Sequence, residues 1–166
     1  MTRRSIPKRA AIVTAAALAA VGTFAAGVSL AGSQDEAEPS KKQIAGLFDT
    51  WNAALQTGDS EKVADLYAKD AVLLPTVSNK IRTDRAEIVD YFDHFLENKP
   101  VGTKVETIVD VLDSNTAIDT GVYEFTLTDP ENGKKRVVKA RYTYEYEKRG
   151  GQWKIVNHHS SAMPEG

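Results

Sequence analysis

The chain has 166 residues, with 21 basic and 23 acidic side chains, a formal charge of −2 and no cysteine. That length suits one domain with an extension. The missing cysteines exclude disulfides and a lipid-anchored cysteine, and the acidic balance argues against a nucleic-acid or anionic-membrane surface.

The extension comes first. Arg3, Arg4, Lys8 and Arg9 form a basic start, and an Ala-rich apolar run follows over residues 10–31. Small residues at Ser29 and Ala31 offer cleavage after Ala31, the form of a secretory signal peptide over residues 1–31. Thr2 to Lys8 loosely resembles a twin-arginine export signal, although Ile6 and Pro7 stand where two large apolar residues are usual. The expectation is a secreted or extracytoplasmic protein. The alternative is a membrane tether through uncleaved residues 10–31, long enough to span a bilayer but interrupted by Thr14, Gly22, Thr23, Gly27 and Ser29. Cleavage removes four of the 21 basic residues and none of the 23 acidic ones, leaving 135 residues at −6. A domain of that size can fold on its core alone.

Residues 32–40 read as a polar, flexible linker, with Ser40 placed to cap a helix. From Lys41 to Thr57, Ile44, Phe48, Trp51 and Leu55 share one helical face, and Gly58 follows as a C-cap. A second, shorter helix is expected from Asp59-Ser60 to about Asp70, with Val63, Leu66 and Tyr67 inward. Ala71 to Leu74 is a short edge strand ended by Pro75, which has no N–H to offer a sheet. Residues 76–82 read as a loop or a short strand. Asp84 with Glu87 starts a third helix that runs to about Asn98. From Thr103 the period becomes two. Four strands are expected over 103–113, 116–129, 135–148 and 152–161, with turns at Ser114-Asn115, Asn132-Gly133 and Gly150-Gly151. The fold class is α+β, three helices covering one face of a curved antiparallel sheet.

Counting from the turns predicts which residues share a face. A two-residue loop at Asn132-Gly133 sets Tyr123 opposite Tyr142 and Phe125 opposite Ala140, with Glu124 opposite Arg141 on the other face. A two-residue loop at Gly150-Gly151 sets Trp153 opposite Lys148, Ile155 opposite Tyr146, Asn157 opposite Tyr144 and His159 opposite Tyr142. His158 then lies outside with Arg141 and Glu124. Around Ser114-Asn115 the same count opposes Asp110 and Asp119, two like charges, so a longer loop is expected there.

These residues carry a resemblance. Phe48 and Trp51 in the first helix, the run from Asp59 to Pro75, and the final Gly150-Gly151-Gln152-Trp153-Lys154-Ile155-Val156-Asn157-His158-His159-Ser160-Ser161 resemble the nuclear transport factor 2-like superfamily. More narrowly, residues 41–164 resemble the association (hub) domain of calcium/calmodulin-dependent protein kinase II and its stand-alone bacterial relatives. The SgcJ/EcaC group, often labelled oxidoreductase, is close to it. The resemblance implies a cystatin-like cone with a pocket at its open end, and a homodimer or larger ring assembled through the outer sheet face. The hub's carboxylate-binding arginines are replaced here by Tyr144 and Ser160, so that ligand is not implied.

The resulting pocket set is Trp51, Tyr123, Tyr142, Tyr144, Asn157 and His159, with His159 and Tyr144 as candidate acid/base groups. The outer-face polar cluster is Glu124, Arg141 and His158. A metal site is not expected, because His158 and His159 point to opposite faces of a strand. No cofactor is implied: no phosphate loop, dinucleotide fingerprint or nucleophile motif is present, and no cofactor site stands behind an oxidoreductase label. The expected function is an exported, hub-like domain that binds an unknown small molecule or self-associates, without catalytic machinery. The alternative is a cofactor-free isomerase, cyclase or hydrolase using His159 with Tyr144 or an aspartate such as Asp119.

Overall fold

A computed structural model describes residues 37–164, which lie in one compact unit. The expected signal peptide and the start of the linker fall outside the described residues. Three helices come first in the chain: α1 (Lys41–Gln56), the single turn and a half of α2 (Ser60–Ala64), and, after strand β1 (Tyr67–Leu74), α3 (Arg85–Leu96). Strands β2 (Val101–Val111), β3 (Thr116–Thr128), β4 (Lys135–Arg149) and β5 (Gln152–Ala162) follow. The fold is α+β, a cystatin-like cone in which the helices pack on a curved, open sheet of order β1-β5-β4-β3-β2. All neighbours are antiparallel except β1, which runs parallel to β5 at one edge.

The helix starts follow from their caps. The Ser40 hydroxyl accepts the Gln43 N–H, and the Gln43 side chain accepts the Ser40 N–H in return. Asp84 accepts the Glu87 N–H at 2.9 Å. The apolar stripe of α1 is fully buried: Ile44, Phe48, Trp51 and Leu55 are each no more than 2% exposed. Asn52 pins this helix to the sheet, donating to the Gly102 carbonyl at 2.9 Å and accepting the Gly102 N–H at 2.8 Å.

The second helix is shorter than its sequence suggests. It stops at Ala64, and Tyr67 opens β1, where Leu66 accepts the Ile155 N–H. The core contact of Tyr67 therefore comes from an extended backbone. Residue 82 makes an isolated bridge back to Leu73, so the segment 75–81 is a loop rather than a strand.

Two hairpins are longer than the minimal count. Asp129 and Lys134 close the β3–β4 turn, which moves every partner by two residues and leaves the faces intact. Tyr123 thus faces Ala140, and Glu124 faces Lys139 instead of Arg141. The β2–β3 loop closes through Leu112 and Thr116, so Asp119 faces Val109 and Asp110 faces Ile118, and the like-charge pair is avoided. A bulge between Lys104 and Glu106 bends β2 over Gly121, where a Cβ would lie 2.0 Å from the Glu106 carbonyl oxygen. Only glycine fits there.

Asp119 is fully buried. It accepts the Tyr142 hydroxyl at 3.0 Å and the Lys104 ammonium at 3.3 Å, and Lys104 also donates to the Ala45 carbonyl of α1. Burial holds its carboxyl above the usual range, against the pull of Lys104 and Tyr142. A raised acid pKa means that the folded chain holds the proton more tightly than the unfolded one. The stability from this group is full below the unfolded pKa and is lost as pH rises through the folded one. Urea titrations should therefore show the wild type losing stability relative to Asp119→Asn as pH climbs from 4 to 7; a relative gain with pH would contradict the assignment.

Candidate functional site

Along β5, Trp153 and Ile155 pair with Lys148 and Tyr146 as the turn count requires. The next pairing joins Asn157 to Glu145, which leaves Val156 as an extra residue in a bulge. One inserted residue exchanges the faces of everything beyond it. His158 therefore pairs with Tyr144 and points inward, 3% exposed, and Ser160 pairs with Tyr142, also inward. His159 is exposed and Asn157 half-buried on the opposite face. The expected placement of Asn157 and His159 in the pocket, and of His158 outside it, is thus reversed.

His158 is held on several sides. Its Nδ1 lies 2.9 Å from the Tyr67 hydroxyl, and that hydroxyl accepts the Trp51 indole N–H at 3.1 Å. The Tyr144 ring stacks on the imidazole, with centroids 4.1 Å apart and planes 25° apart, and the Trp51 ring meets it edge-on at 5.5 Å. Burial, and to a lesser extent neighbouring His159, push the imidazole down to about 3, so it is neutral near pH 7. Burial also pushes the Tyr67 phenol well up, so it keeps its proton. The indole N–H can only donate. The Tyr67 oxygen accepts from it and donates its own O–H to Nδ1. A neutral imidazole that accepts at Nδ1 carries its proton on Nε2. That Nε2 is buried and has no partner.

His158 lines an apolar cavity of about 50 Å³ between the sheet and α3, with Tyr91, Phe92, Phe95 and Phe125 among its walls. No charged side chain lines it. The second polar feature is a hydroxyl chain. Tyr123 donates to Ser160 Oγ at 2.5 Å, and Ser160 and Thr76 share a further short hydrogen bond. With Tyr123 donating, one of the two aliphatic hydroxyl protons joins Ser160 to Thr76 and the other is left over. The residues around the cavity thus hold two hydrogen-bond donors with no assigned acceptor, the imidazole N–H and one hydroxyl.

Trp51 and Tyr123 line the cavity. Tyr142 and Tyr144 do not: Tyr142 bonds Asp119 and Thr107, while Tyr144 backs the imidazole with its hydroxyl buried and unpartnered. Asp119 is not among the cavity-lining residues, so it is not placed as the pocket base. On the outer face Glu124 lies 4.0 Å from Lys139, and Arg141 faces Val122 and Ser161; His158 does not join them. Among the described residues, no three ligating side chains come together as a metal site. Besides His158, three contributors lie outside the expected pocket set: Tyr67, expected as an inward core residue on a helix, Thr76, in the loop after β1, and Ser160, expected to face outward beside Arg141. The one sequence signal for the bulge is the adjacent pair Ile155-Val156, which breaks the alternation while Tyr142, Tyr144 and Tyr146 keep it on β4. The buried Tyr67–His158 pair overturns the expectation of a domain without catalytic machinery and favours the enzymatic alternative, with His158 in place of His159.

The model of the calcium/calmodulin dependent protein kinase II association domain matches residues 40–164. A candidate association domain of this kind from Xanthomonas campestris is 58% identical, covering 80% of this chain and 96% of its own, with a TM-score of 0.75. The association domain of the Caenorhabditis elegans kinase shares the fold at 16% identity and a TM-score of 0.60, covering 74% of this chain and 95% of its own. So does a candidate scytalone dehydratase from Novosphingobium aromaticivorans, at 14% identity and 0.66, covering 74% and 83%. No match is found among curated proteins. The chain belongs to the calcium/calmodulin dependent protein kinase II association domain family.

Proposed function

We propose that this chain is a cofactor-free enzyme in which neutral His158 donates its Nε2–H to the carbonyl oxygen of a small substrate. The observation that carries this reading is the imidazole itself: buried, held at Nδ1 by Tyr67, and unpartnered at Nε2, in a residue that lines the cavity. A neutral donor at a site without water stabilises negative charge that develops on an oxygen, and its contribution is largest in a desolvated pocket. The spare hydroxyl of the Ser160–Thr76 pair is a second donor for the same oxygen.

The chemistry of the lining narrows the reaction. No carboxylate lines the cavity, and an imidazole held near 3 is a weak base, so activation of water for hydrolysis is poorly served. A cyclisation in which the substrate brings its own nucleophile needs only folding and polarisation of the carbonyl. The probe 1-(2-hydroxyphenyl)but-2-en-1-one has this form. Its phenol oxygen bonds to the β-carbon, the phenol proton ends on the α-carbon, and charge builds on the carbonyl oxygen between the two events. Wild-type protein should accelerate its closure to 2-methylchroman-4-one, and His158→Ala should lose about 10²-fold of the rate. No acceleration over buffer, or a folded His158→Ala that matches wild type, would overturn the reading.

The same protein is read as exported and self-associating. Export rests on the basic start and apolar run of residues 1–31. Assembly is supported by the family's association domains and by Val105, Ile108 and Leu112, each more than half exposed on or beside β2. Protein recovered from outside the cytoplasm should begin at Gly32 by intact mass and run as a dimer or ring in light scattering; a retained leader or a monomer at high concentration would count against the respective half.

A further inference from the structure

The inner cavity of about 50 Å³ is walled by helices and strands except at one place, where Pro75, Thr76 and Val77 close it from the loop after β1. An apolar cavity that holds a benzene molecule measures about 150 Å³. The space is therefore too small for a ring-bearing ligand as it stands, and one wall has to give before such a ligand enters.

The loop is the wall with the fewest ties. At its base Leu73 and Arg82 exchange both backbone hydrogen bonds, each at 2.9 Å, which fixes the two ends side by side in the manner of an Ω-loop. Beyond that base, among the described residues, no backbone–backbone hydrogen bond ties residues 75–81 to the rest of the protein. Side-chain contacts do so. The Thr76 hydroxyl meets Ser160 on β5, Ser78 accepts from Arg82 at 3.5 Å, and Lys80 pairs with Glu87 of α3 at 2.8 Å. Arg82 belongs to the base of the loop itself, and an ion pair at the surface such as Lys80–Glu87 holds little. Pro75 is buried next to the base, but Val77 and Ile81 are 66% and 52% exposed, so little apolar packing holds the rest of the loop. That leaves Thr76–Ser160 as the hydrogen bond that fastens the loop over the cavity.

We propose that residues 75–81 are the lid of the cavity, that the Thr76–Ser160 hydrogen bond is its latch, and that an uncharged, apolar ring enters when the lid swings out about the Leu73–Arg82 bridge. The ligand class follows from the walls, which carry no charged side chain and include the rings of Trp51, Tyr91, Phe92, Phe95 and Phe125. Opening exchanges one hydrogen bond between aliphatic hydroxyls for hydrogen bonds to water, a small cost for a lid. The proposal concerns entry to the cavity and stands apart from the chemistry assigned to His158.

The chain has no cysteine, so a cross-link can be placed without competition. Thr76→Cys/Ser160→Cys sets two thiols where the two hydroxyls are in contact, within reach of a disulfide. Uptake of fluorobenzene, which has no oxygen for His158 to bind, is followed by fluorine-19 NMR. Wild type should bind it, the oxidised double variant should not take it up, and reduction should restore uptake. Thr76→Val removes the latch alone and keeps the size of the side chain; it should speed uptake about fivefold, as expected for the loss of one hydrogen bond between neutral groups. Equal uptake by the oxidised and reduced forms would overturn the lid. A Thr76→Val that takes up the probe at the wild-type rate, or a cysteine pair that does not oxidise in the folded protein, would overturn the latch. A wild type that binds no fluorobenzene would overturn the whole proposal, whereas the carbonyl chemistry stands or falls on the chromanone reaction.

Discussion

The site depends on one relay of hydrogen bonds, from the Trp51 indole to the Tyr67 hydroxyl to His158 Nδ1. The first link has a fixed direction, and the second is assigned from Tyr67 to Nδ1 because a phenol accepting from both rings would leave its own proton buried without an acceptor. An indole nitrogen has only a proton to give, and a buried phenol does not ionise near neutrality. The proton of His158 is thereby placed on Nε2, the nitrogen without a partner. Without the relay the imidazole would choose its tautomer freely, and a buried group with two possible donors is a poorly aimed one.

The fold supplies this relay from three distant parts of the chain. Trp51 comes from the buried stripe of α1, Tyr67 from the edge strand β1, and His158 from β5. The parallel pairing of β1 with β5 is irregular between Tyr67 and Val72, and β5 itself bulges at Val156. These two departures bring Tyr67 and His158 together on the inner face. Elsewhere on the sheet, the Asp119–Lys104–Tyr142 network beside the β2 bulge over Gly121 ties α1 to the strands through the Ala45 carbonyl. Asp119 and Tyr142 are partnered within that network, in contrast to Nε2 of His158.

Much of this was legible in the sequence. The aromatic stripe of α1, the tyrosines that alternate along β4, and the order of helices and strands all follow from periodicity, because each is repeated over several turns or pleats. The conflict between Asp110 and Asp119 was enough to show that one turn was longer than its minimal form. The inner histidine was not legible, because one unpaired residue reverses a strand's faces without altering its composition. Tyr67 was hidden for a related reason: the run from Asp59 to Asp70 suits a helix locally, and only the pairing of its last residues with β5 makes them extended. The third relay partner, Trp51, was found, but its indole N–H gains meaning only once Tyr67 is in place.

The relay's central claim is a proton position, and nitrogen-15 NMR of the His158 ring reads it directly. The account predicts a neutral ring from pH 7 down to pH 5, protonated at Nε2 and unprotonated at Nδ1, with a hydrogen-bonded Tyr67 hydroxyl proton coupled to Nδ1. An imidazolium at pH 6, or a neutral ring with its proton on Nδ1, would contradict it.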